Sequence, residues 1–197
     1  MRILGGQAKG QRLKTGAGRQ VRPTAAAVRK VLFDILGPHL EGTRFLDLFA
    51  GYGSVGLEAL SRGAAQAVFV ERNRQCCRVL AENLHALGWQ ERGEVLCAEV
   101  HRALETLAHR GEQFEVIFAD PPYGVTAASE CLAWLGVHPS LLRAEGVVVV
   151  QHHYRDQLAK VYGQLRRQRQ RRMGEAQLTF YYLGSQALQG PLRGPGG

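Results

Sequence analysis

Cysteine is scarce in this 197-residue sequence: Cys76, Cys77, Cys97 and Cys131 are the only four, and no C-x-x-C spacing occurs. That argues against a zinc ribbon or a dithiol redox motif and leaves buried, reduced thiols as the expectation. Long apolar runs are also missing. Nothing approaches the roughly 18 residues that would suggest a membrane span, and Met1-Arg2-Ile3-Leu4-Gly5-Gly6 turns polar before any signal-like stretch develops. A cytoplasmic protein is expected. The seven histidines supply no chelating pair, because His152 and His153 are neighbours at a predicted strand end and point to opposite faces. No metal is expected.

Acidic residues are absent from the first thirty positions, which carry eight Lys or Arg. Residues 31–154 hold nine bases against fifteen acids, and residues 155–172 seven bases against one. Each basic run could be a solvated face. Two such runs flanking an acidic middle, in a chain of net charge +8, point to a polyanion, and nucleic acid is the usual one. The length suits one domain with a small appendage, large enough for a core without disulfide or metal staples. A monomer is the default expectation.

Residues 1–21 are rich in Gly, Lys and Arg, with apolar side chains at Ile3, Leu4 and Leu13. They read as an extended arm or short hairpin ordered by RNA or by the body of the domain. Val28, Val31, Leu32, Ile35 and Leu36 then fall on one helical face, with Thr24 as N-cap and Gly37-Pro38 as a left-handed cap followed by a breaker. From Arg44 onward strands and helices alternate. Strands are expected at 45–50, 67–71, 94–98, 114–119 and 146–151; helices at 54–62, 73–87, 101–110, 128–135 and 155–162. Residues 164–172 and 177–183 read as two antiparallel strands, and 186–197 as a disordered tail. The fold class is therefore α/β, a doubly wound, mostly parallel, seven-stranded Rossmann-like sheet with an antiparallel C-terminal strand and a small basic N-terminal extension. The domain reading is an arm and helix at 1–40, a catalytic domain at 41–185 and the tail.

Ligands bind such sheets at the carboxyl ends of the strands. Asp47, Glu71, Glu99 and Asp120 all fall there. Between the first strand and its helix, Gly51, Gly53 and Gly56 form a G-x-G-x-x-G, with Glu71 twenty residues after Gly51. Alone, this spacing fits a dinucleotide, S-adenosylmethionine or mere packing. Asp47 selects S-adenosylmethionine, because a carboxylate there serves the ammonium of a methionine moiety and repels a pyrophosphate. Glu71 would then hold the ribose hydroxyls, and Ala98-Glu99 would meet the adenine amino group, with a solvated acid as the alternative for Glu99.

Asp120-Pro121-Pro122-Tyr123 ends the fourth strand. An exocyclic amine on a nucleobase is a poor nucleophile, its lone pair delocalised into the ring. If the Asp120 carboxylate and the Pro121 carbonyl accept its two N–H bonds, the lone pair is aimed at the methyl group. The prolines fix that carbonyl, and Tyr123 can stack on an extruded base, worth about 1–3 kcal/mol. No covalent nucleophile is needed.

Taken together, the sequence resembles the bacterial small-subunit ribosomal RNA guanine-N2 methyltransferases of the RsmD type, class I S-adenosylmethionine-dependent enzymes. The resemblance rests on Arg2-Ile3-Leu4-Gly5-Gly6 with Lys9-Gly10, Val21-Arg22-Pro23-Thr24 through Val28-Arg29, and Leu32-Phe33-Asp34-Ile35-Leu36. It continues through Leu46-Asp47-Leu48-Phe49-Ala50-Gly51, Gly56 to Ala64, and Asp120 to Tyr123. It implies a 16S rRNA guanine as substrate, presented in a small-subunit assembly intermediate. Phe49 joins the cofactor set, and Arg2, Lys9, Arg12, Arg22, Thr24, Arg29, Arg166 and Arg169 are the RNA-contact candidates. Tyr52 and Glu99 depart from the family pattern, which has a small residue and Asp or Asn there. A DNA adenine-N6 methyltransferase shares the tetrapeptide but needs a target-recognition domain with no room here. A catalytically idle RNA-binding assembly factor is the reading from another class, and a nicotinamide dehydrogenase has no use for Asp120 to Tyr123.

Overall fold

The computed structural model describes residues 1–16, 23–37, 40–122 and 125–184. Five parallel strands form its centre: β1 (Arg44–Leu48), β2 (Gln66–Glu71), β3 (Gly93–Cys97), β4 (Phe114–Ala119) and β5 (Leu142–His153). Three more, β6 (Val161–Tyr162), β7 (Leu165–Met173) and β8 (Ala176–Leu183), complete one sheet in the order β3-β2-β1-β4-β5-β8-β7-β6. Strand β8 runs antiparallel to both β5 and β7. The order reverses at β1, whose two neighbours are β2 and β4, so the crevice expected of an open α/β sheet opens between the ends of β1 and β4.

Helices α1 (Pro23–Leu36), α2 (Ser54–Ser61) and α3 (Arg74–Ala86) cover one face, and α4 (Val100–His109) and α5 (Val125–Val137) the other. The strands alternate accordingly. Phe45, Phe69, Phe118 and Phe180 pack against α1–α3, while Leu46, Leu48, Val70 and Ile117 pack against α4 and α5. Burial on both faces explains why these strands read as nearly continuous apolar runs. Each buried Phe or Leu contributes about 1.5–3 kcal/mol relative to exposure. Asp47 lies between Leu46 and Leu48 and so points into the α1–α3 layer.

The arm docks on the body. Residues 1–16 fold back in a hairpin joined by an antiparallel bridge between Arg2 and Arg12, with Ile3, Ala8 and Leu13 buried in the α1–α3 layer. Gln7 N–H donates to the Ser61 carbonyl, and Ala8 N–H to Ser61 Oγ. Gly6 has φ 77, and a Cβ there would lie 1.8 Å from the Ser61 carbonyl oxygen, so the turn admits only glycine.

Several sequence expectations change. Residues 155–162 are not a helix. Leu158, Val161 and Tyr162 have helical spacing, yet Gly163 at φ 52 turns the chain so that Tyr162 pairs with Leu165, and β6 becomes a short eighth strand. Helix α1 already includes Pro23, which is suited to a first helical position, so Thr24 lies inside the first turn rather than ahead of it. Gly37 lacks the left-handed conformation expected of a cap; the helix tightens there into a 3-10 turn. Strand β5 is longer than expected at both ends. Tyr123, Arg22 and residues 186–197 lie outside the described residues.

Candidate active site

The ends of β1, β2 and β4 bring three carboxylates to one rim. Register pairs Asp47 with Phe69 and with Phe118, so Asp47 sits one layer below the strand ends and Asp120 directly follows the end of β4. Asp47 is buried. Its Oδ2 accepts the N–H of Gly56 at 2.8 Å. Gly56 is the third residue of α2, so Asp47 satisfies one of the helix's orphan donors from a neighbouring strand. Burial pushes its carboxyl up to about 7; the Gly56 bond opposes the rise, and Asp120 and Glu71 add to it. The other oxygen remains for a cationic group.

Glu71 braces the glycine loop. The Gly51 N–H donates to Oε2 and the Asn73 N–H to Oε1, each at 2.8 Å. Each carboxylate oxygen keeps capacity for a second donor, such as a ribose hydroxyl. The glycines divide by role. Gly53 (φ 80) and Gly56 are packing positions, where a Cβ would lie 2.2 Å from Leu80 and 2.3 Å from Phe69. Gly51 has φ 56 and nothing within 4 Å of its missing Cβ, which leaves open space beside the loop for a ligand. Phe49 is the one non-glycine with positive φ among the described residues, at 64°. A backbone of that kind costs about 1–3 kcal/mol and is found where surrounding structure enforces it, often at functional sites.

Asp120 is exposed, and among the described residues no group hydrogen-bonds its carboxylate. Even so, the protein mass around the crevice displaces enough water to push its carboxyl up to about 6. It is thus an unpaired acceptor at the mouth of the crevice, poised to lose its charge in mildly acidic solution. Pro121 is half-buried beside it and Pro122 exposed.

At the third strand end, Ala98 N–H donates to the Glu71 carbonyl, tying β3 to β2. Glu99 is exposed, its carboxylate 3.5 Å from Arg72. The donor set fits S-adenosylmethionine: a buried carboxylate for an ammonium, a braced carboxylate for a diol, an open glycine, and acidic surroundings for a sulfonium. Among the described residues no three His, Cys, Asp or Glu side chains converge to hold a metal ion.

Arg2, Lys9 and Arg12 are exposed on the arm hairpin; Arg166 is half-buried and Arg169 exposed on β7. Arg29 does not face solvent as expected for an RNA contact. It is 5% exposed, its Nη2 donates to the Arg2 carbonyl at 2.7 Å, and its Nε lies 3.7 Å from buried Glu58. The sequence reading also passed over Asn83. This buried amide exchanges bonds with both backbone groups of Lys14 and donates to the Tyr52 carbonyl at 3.4 Å, joining arm to glycine loop. A polar residue inside the Leu80, Leu84 stripe of α3 was the available signal.

Replacing Asp47 with Asn keeps an acceptor for Gly56 and removes a buried charge. Because the native carboxyl titrates near 7 and the unfolded one near 4, wild-type stability falls as pH rises through that window. The melting temperature of Asp47→Asn relative to wild type should therefore climb between pH 5 and 8, by at least about 2–4 °C, the equivalent of ~1 kcal/mol in a domain of this size. A difference that stays flat with pH would show that the carboxyl is ionised at little cost.

Residues 1–182 match the family described as "Conserved hypothetical protein 95". "Putative rRNA methyltransferase YlbH" of Bacillus subtilis is 34% identical over 181 residues, covering 92% of this chain and 98% of that protein. "Ribosomal RNA small subunit methyltransferase D" of Escherichia coli is 38% identical over 123 residues, covering 62% and 60%. Among solved structures, "Putative methyltransferase yhhF" from Escherichia coli superposes with a TM-score of 0.80 at 32% identity, covering 93% of this chain and 97% of that one. The rim of carboxylates, the braced glycine loop and these likenesses converge: the chain belongs to the RsmD-type family of class I S-adenosylmethionine-dependent methyltransferases.

Proposed function

We propose that the protein transfers the methyl group of S-adenosylmethionine to the exocyclic N2 amine of a guanine in 16S ribosomal RNA, within a small-subunit assembly intermediate. The observation that carries this reading is the unpaired Asp120 carboxylate beside the buried Asp47 and braced Glu71. Asp47 offers its free oxygen to the cofactor's ammonium, and Glu71 offers both oxygens to its ribose. S-adenosylmethionine supplies an electrophilic methyl group on a sulfonium. Asp120 and the Pro121 carbonyl accept hydrogen bonds from the two amine N–H groups, holding the nitrogen with its lone pair toward that methyl. As the N–C bond forms and the S–C bond breaks, positive charge grows on the nitrogen. Asp120 stabilises it and lies within reach of the proton that must leave. Tyr123 is assigned the face of the base. The exposed cations of the arm and of β7 supply the backbone contacts, and names of relatives that specify ribosomal RNA support the choice of nucleic acid.

Labelled cofactor offered with 30S particles, naked 16S rRNA and DNA tests this. Label in ribosomal RNA, recovered as N2-methylguanosine, is expected; label confined to DNA or recovered as N6-methyladenine overturns it. The rate at saturating substrates should fall tenfold per pH unit below about 6, where Asp120 takes up its proton and ceases to accept. A level profile from pH 5 to 8 would remove Asp120 from the reacting centre. Asp47→Asn should weaken cofactor binding by about tenfold or more, as loss of one partner of a buried charge pair does.

A further inference from the structure

Next to the crevice the fold builds a cationic feature that holding an amine does not require. Strand β5 does not stop level with β4. Val150 pairs with Ala119, and the strand runs on through Gln151, His152 and His153, paired with Leu178, Gln177 and Ala176 of β8. Tyr154 follows, its N–H bound to the Glu175 carbonyl at 2.9 Å, beside the two-residue turn where Gly174 takes φ 61. Three extended residues past Val150 amount to about 10 Å, and Tyr154 opens the turn that follows. Tyr154 thus stands above the rim, just past the end of β5, the strand adjacent to Asp120's own.

Three side chains converge on its ring. The guanidinium carbon of Arg172 lies 3.7 Å from the ring centroid, that of Arg155 5.4 Å, and the His153 ring 4.8 Å away. Arg155 Nε donates to the Tyr154 hydroxyl at 2.9 Å, and Arg172 Nε donates to the Gly174 carbonyl at 2.9 Å. Each guanidinium uses one N–H to hold its place and keeps the other four. Both arginines are exposed, and among the described residues neither is ion-paired, although Asp156 and Glu175 are close in sequence. Arginines elsewhere, such as Arg62 and Arg110, do have carboxylate partners.

Two like charges gathered on one ring repel, and for exposed guanidiniums the contact with the half-buried Tyr154 ring returns only about 0.5–1 kcal/mol each. The arrangement gains most when an anion joins it. Planar forks already fixed in direction suit phosphate oxygens, which they can grip in pairs. Pre-positioning also lowers the entropy lost on binding. Arg166, Arg167, Arg169 and Arg171 extend the same hairpin, so the anion is a chain rather than a single group. A flipped base further requires its strand to be held at the flank.

We propose that Tyr154, Arg155 and Arg172 form a clamp for the RNA backbone flanking the target guanine on the β5 side of the crevice, a placement that rests on the RNA-methyltransferase reading above. Arg155→Ala/Arg172→Ala should raise KM for 30S particles and Kd for naked 16S rRNA about tenfold each, with kcat and cofactor affinity unchanged. The slope of log affinity against log salt should flatten by about 1.4, or ~0.7 for each of two single-strand phosphates. Arg155→Lys/Arg172→Lys keeps the charge but loses the planar fork and should recover only part of the loss. An unchanged KM and slope, full recovery by the lysine pair, or a raised KM for 30S particles with Kd for naked 16S rRNA unchanged would each overturn the clamp; the last would indicate a protein partner. Should wild-type protein methylate no RNA at all, the reading of function fails as well, whereas a methylating wild type with an indifferent double variant sinks the clamp alone.

Discussion

Asp120→Ala should lower the rate of methyl transfer by about 10²–10³ or more, the range seen when one charge-stabilising group is removed from a reacting centre. The fold should tolerate the change, because no described residue hydrogen-bonds the Asp120 carboxylate and burial raises its pKa, with no partner holding the charge. Removing it also relieves repulsion on Asp47, so the melting temperature should hold or rise. Cofactor affinity should stay within a few-fold, since Asp47 and Glu71 retain their partners. Asp120→Asn divides the role further. It keeps one acceptor oxygen but cannot titrate, so whatever activity remains should lose the acidic limb near pH 6. Transfer by Asp120→Ala within threefold of wild type, at equal cofactor occupancy, would mean that Pro121 and Tyr123 suffice to hold the amine, and the assigned mechanism would be wrong.

What the sequence made visible depended on distance along the chain. The order of strands and helices followed from local apolar periods, and the rim carboxylates followed from that order, because a residue at a parallel strand's end has only one place to go. Residues 155–162 failed for a physical reason: Leu158, Val161 and Tyr162 have helical spacing, and only the turn at Gly163 and pairing with Leu165 decide for a hairpin. Tertiary pairing overrode the period. Gly53 and Gly56 were legible as a motif but not as packing positions, since Leu80 and Phe69 come from elsewhere in the chain. The strain at Phe49 left no local mark. Tyr52, unusual against the family pattern, is explained by the arm: a Cβ on Gly16 would lie 2.2 Å from its hydroxyl, so the ring abuts the docked arm rather than merely narrowing the cofactor space. Arg29 misled because charge in a basic segment reads as surface, and its buried partner Glu58 is twenty-nine residues away.

That partner carries the second large effect. Glu58 is fully buried on α2; its Oε2 accepts the Leu4 N–H at 2.7 Å, its Oε1 takes Arg62 Nε at 2.8 Å, and Arg29 Nε lies 3.7 Å from Oε2. One carboxylate therefore binds arm, α1 and α2 at a single point. Burial lowers the pKa of Arg29 and Glu58 opposes that shift, so the arginine keeps its charge partly by courtesy of the glutamate. Glu58→Ala strands a buried guanidinium and an arm N–H, a change expected to destabilise by about 3–5 kcal/mol. At roughly 2–4 °C per kcal/mol the melting temperature should drop by about 6–20 °C. Hydrogen exchange at Leu4 and Leu13 should accelerate before that of the central strands, because the arm loses its anchor while β1 and β4 keep theirs. Glu58→Leu combined with Arg29→Met removes both charges and should recover much of the stability, as apolar replacement of buried ion pairs does. It should not restore the Leu4 bond, so the arm stays mobile and KM for RNA stays raised while cofactor affinity is normal. Should Glu58→Ala melt within about 1 °C of wild type, the arm is held by its apolar contacts through Ile3, Ala8 and Leu13, and the carboxylate is incidental to it.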